Sequence, residues 1–400
     1  MSGDAYERLR EALKRETLPA AVVDLDAFDR NLRKLAAEAD GKPIRLATKS
    51  LRVPWLIGRA LRSDPIFRGL MCYSAREAKF LASLGFDDLL VAYPTLQKTD
   101  LDALREVHER GKKISLVVDG RKGVVALAFA LQGVKDPFPV LVEIDASLRP
   151  FGGAVHLGVR RSPVRSAEDL ERLLVEIEKY PVLRASGMMA YEAQVAGLTD
   201  RNPFRPLLNP VAAFVRGISA RAIARRREAL AAAFARGGRA LEVFNGGGTG
   251  SLSFARSETA LTEVSAGSAL FSPHLFDYYS NMRFEPAAFF ALQIVRVSDP
   301  GYITCQGGGY IASGEPGWDR VPRPWLPEGL ELVSAEGCGE VQTPLRTRET
   351  VIELSPGMPV FFRHAKAGEM MERFQEVLLV RGDKIEDRVP TYRGLDLSFF

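Results

Sequence analysis

Between Ala21 and about Gly267, short apolar runs rich in β-branched residues alternate with longer segments whose apolar residues return every three or four positions. The short runs predict strands and the longer segments amphipathic helices, which is the rhythm of a parallel sheet with crossover helices. The opening run, AAVVDLD, leads into residues 27–40, where Phe28, Leu32, Leu35 and Ala36 keep helical spacing. Eight further strands are predicted: IRLAT at 44–48, LMCY at 70–73, DLLVAY at 88–93, ISLVVD at 114–119, VLVEID at 140–145, LRASGMM at 183–189, LEVFN at 241–245 and LTEV at 261–264. Helices are predicted between them at 52–63, 75–84, 97–111, 120–131, 166–179 and 207–236. Eight strand and helix units in this span match a closed (β/α)8 TIM barrel, whose reactive groups stand at the carboxyl ends of the strands. An open doubly wound sheet is the alternative.

After Pro286 the pattern becomes FFALQIVRV, YITC, GYIA, LELVSAEG, TVIEL, MPVFFR, FQEVLLVRG and DKIEDRV, punctuated by Gly and Pro. This predicts a second, mainly β domain at 281–400, with residues 1–20 packing on it and the α/β barrel occupying 21–280.

The chain has 400 residues, 46% hydrophobic and 26% charged, which excludes a disordered regulator and a small stapled module. Its 54 basic against 50 acidic residues leave a net charge of +4, too small to imply nucleic acid. The basic segment RAIARRREALAAAFARGGR reads as a solvated helix face rather than a polyanion patch. Cys72, Cys305 and Cys338 are isolated, with no CxxC pair, which fits a reducing compartment and suggests no zinc knuckle. The amino terminus lacks the apolar run of a signal peptide and no stretch approaches a membrane span, so a cytoplasmic, non-membrane protein is expected.

Lys49 closes the first predicted barrel strand, where a partly desolvated amine can attack an aldehyde. The bland reading is a rim lysine. After the seventh strand comes Asn245-Gly-Gly-Gly-Thr-Gly-Ser251, whose backbone N–H groups and hydroxyls suit a phosphate dianion, and after the eighth comes Ser265-Ala-Gly-Ser268. The fifth strand supplies Glu143 and Asp145 on one side, requiring a partner such as Arg149 or Arg160. Either arginine could instead hold a cofactor ring or a substrate carboxylate. Met189, Tyr191, Glu192 and Gln194 follow the sixth strand, and His364 in RHAKAGE is a candidate proton shuttle with a structural role as the alternative. His108, His156 and His274 form no local metal motif with it.

The series LPAAVVDLDAFDRN from Leu18, a lysine closing the next strand, then VEID, GMMAYE, GGGTG and TEVSAG resembles the pyridoxal-phosphate enzymes of the alanine racemase type (fold type III). Within that type the chain is most similar to the D-threonine aldolase and D-serine dehydratase group. The resemblance implies that Lys49 binds pyridoxal 5'-phosphate as a Schiff base and that Tyr191 lies near the cofactor. It further implies that Asn245, Gly247, Gly248, Thr249 and Gly250 surround the phosphate with help from Ser265 and Gly267. Arg149, in DASLRPFGG, matches the arginine that such enzymes place near the pyridine nitrogen, and Lys49, Tyr191 and His364 become the proton-transfer candidates. Those enzymes commonly carry a His-x-Cys metal pair near the carboxyl terminus, where this chain reads RVPTYRG at 388–394, so no metal is expected. The implied activity is a lyase reaction on D-amino acids, of aldolase or deaminase/dehydratase type. The alternatives are a racemase, a noncatalytic pyridoxal-phosphate carrier, and a phosphate-handling barrel without pyridoxal. The resemblance also implies an amino-acid substrate and a homodimer in which the β domain of one subunit brings Cys338, Tyr392 or His364 toward the other barrel.

Overall fold

The computed structural model describes residues 2–298, 300–348 and 352–399. Eight parallel strands close into a barrel: Ile44–Ala47, Phe67–Cys72, Leu89–Val91, Ile114–Val118, Phe138–Glu143, Leu183–Ala190, Val243–Gly246 and Glu263–Ala266. Closure is direct, because Ile44 pairs with Val264 and Leu46 with Ala266, and the open-sheet alternative falls. Helices at Pro54–Ser63, Ala75–Ser83, Lys98–Glu109, Arg121–Ala130, Ala167–Glu178 and Asn209–Ala235 separate the strands at nearly the predicted positions. They start where the chain offers a cap: the Ser74 hydroxyl accepts from the Glu77 amide, and Ser166 and Asp169 cap each other reciprocally.

The opening run departs from its expected grouping with 21–280. Ala20–Asp24 lies in a second sheet, of nine strands among the described residues, antiparallel to Ala288–Val297 and parallel to Glu376–Arg381. The physical reason is that both its faces are apolar. Val22 packs with Tyr6, Leu9, Phe289 and Phe361, while Ala21 and Val23 join the main core. The helix Ser2–Leu13 covers the outer face of this sheet, and the Tyr6 hydroxyl donates to the Pro359 carbonyl at 3.0 Å.

One predicted strand of the second domain does not form, and another lies partly outside the described residues. GYIA is a loop, because Gly307 and Gly308 adopt φ of 85° and 119° and the Tyr310 amide turns back to the Gly308 carbonyl at 2.7 Å. In TVIEL, Thr350 and Val351 lie outside the described residues and 352–354 is irregular. The basic helix Asn209–Ala235 is also not simply a solvated face, since Arg216 is 4% exposed and Arg227 0%. Each is buried because acids from distant segments pair with it: Asp200 with Arg216, and Glu192 and Glu258 with Arg227.

Among the described residues no helix is long and apolar enough to cross a membrane.

Candidate functional site

Lys49 sits on a short 3-10 turn, Thr48–Ser50, immediately after the first barrel strand. The carboxyl end of a barrel strand aims the side chain across the mouth. Its backbone is fixed from two sides. The Arg52 guanidinium donates to the Lys49 carbonyl at 3.2 Å while also pairing with Glu372 at 2.8 Å. Gly368 of the second domain packs so closely that a Cβ there would stand 1.8 Å from the same carbonyl oxygen. The Lys49 Nζ donates to the Tyr93 hydroxyl at 2.9 Å.

Opposite stands the glycine loop. Gly247 has a φ of +82°, which turns its amide toward Glu192 Oε2 at 3.2 Å. At Gly250 a Cβ would come 2.1 Å from the Ala196 carbonyl oxygen, so only glycine permits this approach. The Ser251 hydroxyl donates to Glu192 Oε1 at 2.5 Å, and Arg227 pairs with the same carboxylate from below. The Thr249 hydroxyl accepts from the amides of Gly267 and Ala269 at 3.4 and 3.3 Å, joining the loop after the seventh strand to that after the eighth. Asn245 donates to Glu263 at 2.7 Å and to Ser265 at 2.9 Å, and Glu263 in turn takes two bonds from the buried Arg45 at 2.6 and 2.9 Å.

One cavity is lined by Lys49, Tyr93, Arg161, Tyr191, Asn245, the loop 247–250, Ser265, Gly267 and Phe276 among others. Every predicted residue of the phosphate group and both Lys49 and Tyr191 therefore meet in one place. The Arg161 guanidinium lies over the Tyr191 ring, 5.7 Å from its centroid. Burial, reinforced by the Glu192 charge, pushes the Tyr191 phenol up to about 12, so it stays protonated. Just outside the lining, burial pushes Glu143 up to about 7 against the pull of Arg161.

Four expected participants lie outside this chain's own cavity. Arg149 does not line the cavity; it points to solvent and pairs with Asp145. Burial raises the pKa of Asp145, but bonds from Ser147 and the charges of Arg149 and Arg165 outweigh it and hold the carboxyl below its usual range. Arg161 reaches the cavity instead, because the chain folds back through a Leu148–Leu157 bridge, with mutual amide bonds of 2.8 Å, and returns to the barrel mouth. His364 is 2% exposed and edge-on to Phe271; burial, aided by the nearby Arg363 charge, pulls its pKa down to about 3, which removes it as a proton shuttle near neutrality. Tyr392, 1% exposed, donates its hydroxyl to the buried Glu77 at 2.8 Å, and Cys338 sits in the second domain against the Pro322 carbonyl. Tyr93 was not singled out from the sequence, although a tyrosine closing the third strand was the signal for it.

Residues 23–274 match the family described as "Alanine racemase, N-terminal domain". The chain belongs to that family. It is thus a member of the pyridoxal-phosphate-dependent, fold type III enzymes, with both the barrel and the second β domain of the alanine racemase type. A D-threonine aldolase of Arthrobacter sp is 27% identical over 70% of this chain and 67% of its own length. A 3-hydroxy-D-aspartate aldolase of Paracoccus denitrificans (strain Pd 1222) is 26% identical over 63% of this chain, and the match spans 60% of that relative. The crystal structure of D-threonine aldolase from Filomicrobium marinum superposes with a TM-score of 0.79 at 21% identity, covering 95% of this chain and 97% of that one. That likeness concerns the fold. Family membership implies a pyridoxal-phosphate site and relates the chain to D-amino-acid aldolases, dehydratases and racemases.

Proposed function

We propose that this chain is a pyridoxal-phosphate-dependent lyase acting on D-β-hydroxy amino acids, by aldol cleavage or by dehydration. The observation that carries this reading is the single cavity holding the Lys49 amine opposite the glycine loop 247–250. The residues present fit the cofactor: an amine that would bind its aldehyde, a phenol ring in the same cavity, and a loop too tight for side chains that would take its phosphate. When bound, the cofactor supplies an electron sink for the carbanion formed at the amino acid's Cα.

The chain's own residues do the rest. Lys49 would hold the aldehyde carbon. The loop 247–250 would receive the phosphate, and the Thr249 hydroxyl, by taking the Gly267 and Ala269 amides, holds that loop against the one after the eighth strand. Tyr191, kept protonated by burial and braced by Arg161, forms a flat wall and can donate a hydrogen bond. Arg161 offers a guanidinium to an anionic group of the substrate. Seating the reacting centre between Tyr93, Tyr191 and Met189 limits water around it.

The relatives named for aldolase activity support this reading over racemisation. The test is to incubate the cofactor-loaded protein with D-threonine, D-serine and D-3-hydroxyaspartate and their L forms, with chelator or with added divalent metal. Glycine plus an aldehyde, or a keto acid plus ammonia, supports the lyase. The opposite enantiomer would make it a racemase, and no conversion a carrier. A homodimer is part of the proposal; the exposed Leu207, just before the long helix, and Val211 and Phe214 in its first turns support it, and sedimentation of the holoprotein tests it.

A further inference from the structure

The cavity presents few groups able to move a proton. No carboxyl and no imidazole lines it among the described residues; the titratable side chains on its wall are Lys49, Tyr93, Arg161 and Tyr191. Arginine stays charged at working pH. Tyr191 leans on the glycine loop, where a Cβ on Gly248 would stand 3.2 Å from its ring and 3.9 Å from its hydroxyl. Tyr93 is the phenol that touches the Lys49 amine, with Nζ 2.9 Å from the hydroxyl and 5.7 Å from the ring centroid. It is half-buried at the carboxyl end of the third barrel strand, just past Leu89–Val91.

We propose that Tyr93 is a catalytic residue of this site, the proton relay of Lys49. The inference rests on the cofactor reading given above. A phenol is suited to the task because its oxygen accepts from nitrogen while its own O–H remains free to donate. When the neutral Lys49 amine attacks a carbonyl carbon, the C–N bond forms and the carbonyl oxygen gains the electron pair. One amine proton passes to the Tyr93 oxygen as the Tyr93 O–H proton passes to the former carbonyl oxygen. A second such pass breaks the C–O bond, releases that oxygen as water and forms the C=N bond. In net, two protons have left the amine and two have reached the water, and Tyr93 is returned neutral. The reverse sequence serves release of Lys49 when an amino acid displaces it.

The test uses Tyr93→Phe, which keeps the ring over Lys49 and removes only the relay oxygen. Cofactor is added to the metal-free, cofactor-free full chain and the lysine-bound chromophore is followed by stopped-flow absorbance from pH 6 to 9. The expected result is chromophore formation slowed on the order of 10²-fold with the final occupancy unchanged, and kcat reduced by a similar factor with KM within a few-fold. Equal rates in variant and parent would overturn the relay while leaving the cofactor reading intact. Failure of the parent itself to form the chromophore would overturn the cofactor reading. If Tyr93→Phe does not fold, site-specific 3-fluorotyrosine at position 93 lowers the phenol pKa with little change of shape. The alkaline limb of the formation rate then moves to lower pH, and an unmoved limb rejects the relay.

Discussion

Ser251 donates its hydroxyl to Glu192 at 2.5 Å, which ties the end of the glycine loop to the end of the sixth barrel strand. The same carboxylate takes the Gly247 amide at 3.2 Å and pairs with Arg227, which is 0% exposed and also holds Glu258 at 2.6 Å. One buried ion pair therefore sets the loop that is to receive phosphate.

Glu192→Ala should be among the most damaging changes in the barrel. It leaves the buried Arg227 with Glu258 and the Ala190 carbonyl, one carboxylate fewer, and breaking a buried pair costs about 3–5 kcal/mol. Ser251→Ala removes the bond to Glu192 and the one its oxygen accepts from the Gly248 amide at 3.0 Å, and should cost about 1–2 kcal/mol. Urea unfolding of the cofactor-free chains measures both; equal, small losses would show that the loop is not held through Glu192.

Lys49→Ala should remove the lysine-bound chromophore and nearly all turnover while the far-ultraviolet circular dichroism and the melting temperature stay close to the parent's. Lys49 is open to solvent and its partner Tyr93 is half-buried, so little packing is lost. Retained turnover would reject the assigned role.

Thr249→Val should weaken cofactor retention and spare chemistry. Its hydroxyl accepts from the Gly267 and Ala269 amides, so its loss lets the two loops drift. A loss of about 1–2 kcal/mol corresponds to an increase in Kd of roughly 5- to 30-fold, with kcat at saturating cofactor little changed. Binding of pyridoxal lacking phosphate is the control, and it should respond less.

What the sequence disclosed follows from where each group's partners lie. The barrel strands and Lys49 were legible because period and strand-end position are local properties. The glycine loop was legible because its composition and its place after LEVFN are adjacent in the chain. Arg161 was not, since only the fold-back at Leu148–Leu157 brings it over Tyr191. Arg227 sits in a run of three arginines that reads as solvated, and its burial depends on acids at 192 and 258. His364 looked like a shuttle because no local signal shows Phe271 closing over it.

The same burial gives His364 a measurable signature opposed to that of Glu77. His364 is pulled from 6.5 to about 3, so between those values the unfolded chain carries a proton there that the folded chain refuses. Its contribution to stability is present above pH 6.5 and is lost as pH falls. Glu77 is pushed by burial from 4.5 to about 7, so the folded chain keeps a proton that the unfolded chain gives up. Its contribution is present below pH 4.5 and is lost as pH rises toward 7. From pH 4.5 to 6.5 the two slopes oppose each other. Relative to the parent, His364→Leu should make the melting temperature fall more, or rise less, with increasing pH over that window. Glu77→Gln should do the reverse while Gln keeps a partner for the Tyr73 amide and the Tyr392 hydroxyl. Thermal melts at half-unit intervals of pH check both signs. The pH profile of kcat/KM in His364→Leu should keep the parent's limbs, and a displaced limb would return His364 to the proton-transfer machinery.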